Sequence, residues 1–135
     1  MILTGRPLIG IGVDVVSWDR LEKLLARHSS DSLKRLLAPS EQTVFQNSSD
    51  SLRCFARFFA AKEAYFKASG GSGMGEEGFR QIEVLFGEGG HEFRVLSDVF
   101  DPGGHFWAEG EFFEMPEGMG AKVLLWGDPV EGEGL

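Results

Sequence analysis

The chain has 135 residues, a net charge of −8 and a 42% hydrophobic content that includes twelve Phe and three Trp, enough to bury a core as a single domain over 1–135. No apolar run approaches the roughly 20 residues of a membrane span, the first residues lack the apolar core of a signal peptide, and one cysteine, Cys54, excludes an internal disulfide, so a cytoplasmic protein without a membrane partner is expected. Residues 1–67 carry +3 and residues 68–135 carry −11, which argues against nucleic acid as a partner and leaves the first half able to receive phosphates or an acidic protein.

Residues 8–16 alternate as a strand does, with Ile9, Ile11, Val13 and Val15 on one face and Gly10, Gly12 and Asp14 on the other. Glycines inside a strand mark close approach of a ligand or of another backbone. A Gly-x-Gly within the strand, with no third glycine after it, does not make a dinucleotide fingerprint.

Ser17 reads as an N-cap with Asp19 in the first turn. The helix it opens sets Trp18, Leu21, Leu24 and Leu25 at helical spacing and shows Arg20, Lys23 and Arg27 as a basic stripe, with His28 at its end as a cap or surface residue. A short helical piece over 32–37 is stopped by Pro39, another turn runs from Ser40 to Phe45, and 46–50 is a polar loop.

A long helix is expected over 51–69. Leu52, Phe55, Phe59 and Phe66 share one side, Glu63 lies at its margin, and Lys62 and Lys67 flank the carboxylate. A charged carboxylate beside an apolar stripe is costly unless a metal, a proton or a cation compensates it. Cys54 falls among apolar neighbours as core. The helix ends in a run containing Gly70, Gly71 and Gly73, either a linker or a ligand cradle.

Beyond it the period changes to two. Residues 79–86, 92–96, 106–113 and 122–126 read as strands separated by Gly-rich turns, and 128–135 as an acidic tail. The fold class is α+β, an antiparallel sheet packed against helices.

Asp14 and Glu63 are the candidate catalytic and metal-ligating pair. Two carboxylates, waters and a substrate phosphate make a common Mg²⁺ site, because this hard ion takes oxygen ligands and keeps much of its hydration. The plainer alternative is an i,i+4 ion pair of Glu63 with Lys67, and an Asp14 that caps a turn.

The segment Gly10-Ile11-Gly12-Val13-Asp14-Val15-Val16 with Arg20 six residues after the Asp, and the segment Phe59-Ala60-Ala61-Lys62-Glu63-Ala64-Tyr65-Phe66-Lys67-Ala68 followed by a Gly-rich turn, resemble the holo-acyl-carrier-protein synthases, as does Ile82-Glu83-Val84. These are small single-domain 4′-phosphopantetheinyl transferases. The resemblance implies that fold. It implies Mg²⁺ on Asp14 and Glu63, coenzyme A phosphates on Lys62 and Lys67 beside the glycines Gly70, Gly71 and Gly73, and Glu63 or a water beside it as base for the carrier serine. It further implies an acyl-carrier protein docked on Arg20, Lys23 and Arg27, and a homotrimer with coenzyme A between subunits. The chain departs from the family pattern at Phe58, where an arginine is usual, and at Ala108-Glu109-Gly110-Glu111-Phe112-Phe113-Glu114, where a Ser-x-Ser-His motif is usual. A non-catalytic relative that binds a carrier protein or another acidic partner is the alternative.

Overall fold

The structure is a computed structural model that describes residues 5–28, 30–71 and 76–129. In chain order it contains β1 (Leu8–Ser17), α1 (Trp18–Arg27), α2 (Ser30–Lys34), α3 (Pro39–Gln46), α4 (Ser51–Ala68), α5 (Glu76–Arg80), β2 (Glu83–Phe86), a short 3₁₀ turn (Glu88–Gly90), β3 (Glu92–Leu96), β4 (Trp107–Met115) and β5 (Gly118–Trp126). The strands form one sheet in the order β1-β5-β4-β3-β2, and every neighbouring pair is antiparallel. The expected α+β architecture is present, and α4 lies across β1 and β5 on one face of the sheet.

The glycines of β1 explain how the helix comes so close. A Cβ on Gly12 would sit 1.9 Å from the Ala64 carbonyl oxygen, and one on Gly10 would sit 2.0 Å from that of Ala68. Backbone therefore meets backbone, and what approaches these glycines is α4 itself. Ala60, Ala61, Ala64 and Ala68 of α4 are buried, and so are Ala121, Val123 and Leu125 of β5. The opposite face of β1 is open. Ile9, Ile11, Val13 and Val15 are all exposed, between 45% and 58%.

Two expectations for the second half are corrected. Residues 79–86 do not run as one strand. Glu76–Arg80 is helical, and pairing begins at Glu83. The buried residues Phe79 and Ile82 are three apart, which is a helical spacing that period-two reading absorbs into the following strand. The last strand begins earlier than 122, at Gly118. Gly118 and Gly120 looked like turn residues, but a Cβ there would meet the Val16 carbonyl oxygen at 2.2 Å or the Phe113 ring at 2.1 Å, so both serve close packing inside the sheet. The acidic tail falls largely on 130–135, outside the described residues.

Candidate active site

The capped start of α1 and the far half of α4 meet at the end of β1. The Ser17 hydroxyl accepts the Arg20 backbone N–H at 3.1 Å, so the cap of helix α1 stands three residues after Asp14 and the helix carries Arg20 back toward α4. Asp14 follows Gly10 and Gly12 on the strand face that α4 covers, and its side chain is only 15% exposed. Lys67 Nζ lies 2.8 Å from Asp14 Oδ1 and donates also toward the Val13 carbonyl at 3.4 Å. Glu63 stands one turn before Lys67.

The Glu63 carboxyl is held above the ordinary carboxylate range, first by its partial burial and then by the negative charge of Asp14, with Lys67 and Arg20 pulling the other way. Two carboxylates and two cationic side chains thus share one pocket of field. The Arg20 guanidinium also lies 5.7 Å over the Phe59 ring, which joins the site to the surface beyond it.

Among the described residues no cluster of three or more His, Cys, Asp or Glu side chains assembles. The pair Asp14 and Glu63 nevertheless fits a hard divalent cation. It offers oxygen donors only, and the repulsion that raises Glu63 is what such an ion would relieve. The remaining ligands would come from water and a bound substrate.

Lys62, expected at phosphate, does not join this group in the structure. One residue is about 100° of helix, so Lys62 points inward where Glu63 does not. Its side chain is 1% exposed, and its three ammonium protons meet three oxygens: Glu41 Oε1, the Leu36 carbonyl at 2.9 Å and the Phe79 carbonyl at 2.8 Å. Glu41 is equally buried and was missed from sequence. Its one local signal is its place three residues after Ala38, beside Pro39, where its Oε1 accepts the Ala38 N–H at 2.8 Å.

Gly70 and Gly71 close α4. The Gly70 N–H bonds the Lys67 carbonyl at 3.1 Å and the Gly71 N–H bonds that of Phe66 at 3.2 Å, a Schellman cap with Gly70 at φ +74°. A Cβ on Gly71 would strike the Phe66 ring at 2.5 Å. Gly73 lies outside the described residues.

The basic stripe borders a groove of about 550 Å³ between α1 and α2. Arg20, Lys23 and Arg27 line it with Arg35, and Leu24, Leu36 and Phe59 form its apolar floor. Lys23 also pairs with Asp19 at 3.0 Å, an exposed bridge that water and salt screen. Residues where the family pattern is broken prove to be otherwise engaged. Phe58 is 1% exposed and stacks on Phe86, ring centroids 4.8 Å apart. Of the carboxylates in β4, Glu109 accepts both indole N–H groups of Trp107 and Trp126, Glu111 pairs with Lys122 at 2.8 Å, and Glu114 pairs with Arg53.

Residues 10–111 match the family model for the 4′-phosphopantetheinyl transferase superfamily. The chain is 36% identical over 92 residues to the holo-acyl-carrier-protein synthase of Ruthia magnifica, a span of 67% of this chain and 72% of that protein. Its fold is similar to the holo-acyl-carrier-protein synthase of Neisseria meningitidis, with a TM-score of 0.75, 25% identity and coverage of 88% and 98% of the two chains. It is similar also to the Bacillus anthracis synthase in complex with coenzyme A (3′,5′-ADP), with a TM-score of 0.72, 28% identity and coverage of 90% and 98%. An acidic pair braced by Lys67 and Arg20, on a sheet and helix that match these enzymes almost end to end, leaves one assignment: the chain belongs to the 4′-phosphopantetheinyl transferase superfamily, among its holo-acyl-carrier-protein synthases, and is a transferase.

Proposed function

We propose that the protein transfers the 4′-phosphopantetheine group from coenzyme A to a serine of an apo acyl-carrier protein and releases adenosine 3′,5′-bisphosphate. The observation that carries this reading is the meeting of Asp14 and Glu63, 49 positions apart in the chain, with Lys67 bonded to the first and one turn from the second. The serine hydroxyl oxygen forms a bond to the pantetheine-side phosphorus, and the bond from that phosphorus to the bridging diphosphate oxygen breaks. The serine proton passes to Glu63, directly or through one water. Glu63 suits this role by position, a partly buried carboxylate beside Asp14 and one turn from Lys67. Lys67 and Arg20 face the anionic substrate and hold its phosphates.

Asp14 and Glu63 would hold Mg²⁺, whose charge, when it is bound, neutralises the diphosphate as the leaving group departs. Arg20, Lys23 and Arg27 receive the acidic face of the carrier protein, and the apolar floor of the groove takes its hydrophobic side chains. Coenzyme A as substrate is supported by the complexes of the similar enzymes from Bacillus anthracis and Helicobacter pylori. We place the protein in the cytoplasm, as a homotrimer whose subunits meet through the open sheet face, with coenzyme A near the clefts.

The test is transfer of a fluorescent pantetheine from labelled coenzyme A to an apo carrier protein with Mg²⁺. Transfer is expected, and Asp14→Ala and Glu63→Ala should each lower it by at least about a hundredfold, the scale of a lost general base or charge partner. A wild-type protein that neither modifies a carrier protein nor binds coenzyme A in calorimetry would overturn this reading and leave a carrier-binding relative in its place.

A further inference from the structure

Among the described residues the most heavily bonded polar group is the buried pair Glu41 and Lys62, and the chemistry above does not use it. Five strong contacts converge there. Glu41 Oε1 accepts the Ala38 N–H at 2.8 Å and one ammonium proton, Glu41 Oε2 accepts the Val84 N–H at 2.6 Å, and Lys62 Nζ donates to the carbonyls of Leu36 and Phe79. The pair therefore fastens together the α2–α3 connection, α3, α4, the end of α5 and the start of β2.

What it fastens is significant for the site. Leu36 is on the floor of the basic groove, as is Phe59. Phe79, whose carbonyl Lys62 captures, stacks on Phe59 with ring centroids 5.3 Å apart. Phe79 belongs to α5, which follows the glycine run in the sequence. The residue after Lys62 on the same helix is Glu63. One ammonium group thus bonds the backbone at the groove floor and at the end of α5 from the position next to Glu63.

Burial of two charges is expensive and is seldom the cheapest way to stabilise a core, since a well-packed apolar pair of the same volume often does as well or better. Ordinary packing would also leave the carbonyls of Leu36 and Phe79 free to shift. The geometry points to a positioning role: Glu41 and Lys62 act together to hold the groove floor and the end of α5 in register around Glu63, and Lys62 does not itself touch phosphate. This inference rests on the transferase reading for its kinetic test alone.

Glu41→Gln, Lys62→Met and the double variant are compared with wild type, each assayed well below its own melting temperature so that the folded fraction is complete. If the pair positions the site, both single variants raise KM for the carrier protein and for coenzyme A in parallel, about tenfold, with smaller effects on kcat. The double variant is then no worse than either single one. A phosphate-binding lysine gives another pattern, in which Lys62→Met weakens coenzyme A whatever stands at 41 and Glu41→Gln does not. A purely structural pair lowers the melting temperature and leaves both KM values unmoved. Either pattern overturns the proposal. Hydrogen exchange supplies a readout independent of turnover: amides at 34–38 and 78–84 should exchange faster in both single variants while those of β4 and β5 do not. Unchanged exchange at 34–38 and 78–84 overturns the positioning role even if the wild-type protein transfers nothing, and that latter result would count against the transferase reading alone.

Discussion

Lys62 and Glu63 are neighbours with opposite environments, and the contrast shows what residue-level reading can reach. Glu63 was legible because its misfit is local: a carboxylate at the edge of a phenylalanine stripe is visible within one helix. The partner of Lys62 stands 21 positions earlier, on a different helix, and no spacing rule connects them. Phe58 is a similar case. From the family pattern it looked like a missing arginine, yet it is 1% exposed and stacked on Phe86, part of the core that α4 shares with β2. An arginine put back at this position should therefore harm the protein and not improve its grip on substrate. Phe58→Arg forfeits the ring's burial and forces a charge into an apolar space, a loss of at least about 3 kcal/mol on the scale of large core substitutions. Urea denaturation is the measurement. A variant as stable as wild type with tighter coenzyme A binding would show instead that the position opens to the site.

At the level of elements, the alternation in residues 8–16 identified a strand, but not which face is covered. Apolar residues usually point inward, and here Ile9, Ile11, Val13 and Val15 point out because Gly10 and Gly12 admit the backbone of α4. A sequence records the absence of a side chain without recording what fills the space. The same helix offers a clean probe of its packing, because Tyr65 is the single tyrosine of the chain. It is 2% exposed, its ring meets Phe100 edge to face at 6.3 Å, and burial pushes its phenol up to about 12. Since the folded value lies above the unfolded one near 10, the neutral phenol's contribution is whole below about pH 10. It is lost as the pH climbs toward 12, in all about 3 kcal/mol for a two-unit shift. Absorbance at 295 nm should thus show one ionisation, displaced toward 12 and accompanied by loss of near-ultraviolet ellipticity. Tyr65→Phe should remove that part of the alkaline loss of stability. A reversible titration at about 10 with the fold intact would mean that α4 does not seat as described.

At the scale of the molecule, the open face of the sheet is the feature that a lone chain does not explain. The strand register lays out its rows: Ile11, Leu124, Glu109 and Arg94 run across β1, β5, β4 and β3, and Val13, Lys122, Glu111 and Glu92 form the next row. An antiparallel sheet can leave one face to water, but such a face is normally polar along its margin. Here the polar residues lie toward the centre, while edge strand β1 exposes four β-branched side chains in succession. A long apolar edge strand invites pairing with another chain, and contiguous exposed apolar surface of this kind marks an interface. Asp14 lies on the other side of the same strand, so an interface along β1 would put the acidic pair at its rim, where a second subunit could close over a bound substrate. Completing the burial of these half-exposed residues contributes about 1 kcal/mol each per subunit, whereas an aspartate among them would bring an unpaired charge into the contact. Ile11→Asp, which removes no core contact because Ile11 is 58% exposed, should leave the fold and its circular dichroism intact. In sedimentation equilibrium it should shift the protein from trimer to monomer, and pantetheine transfer should fall with the loss of trimer. A wild-type protein that sediments as a monomer, or an Ile11→Asp monomer that keeps full transfer, would show that one subunit carries the whole site and that this face serves another contact.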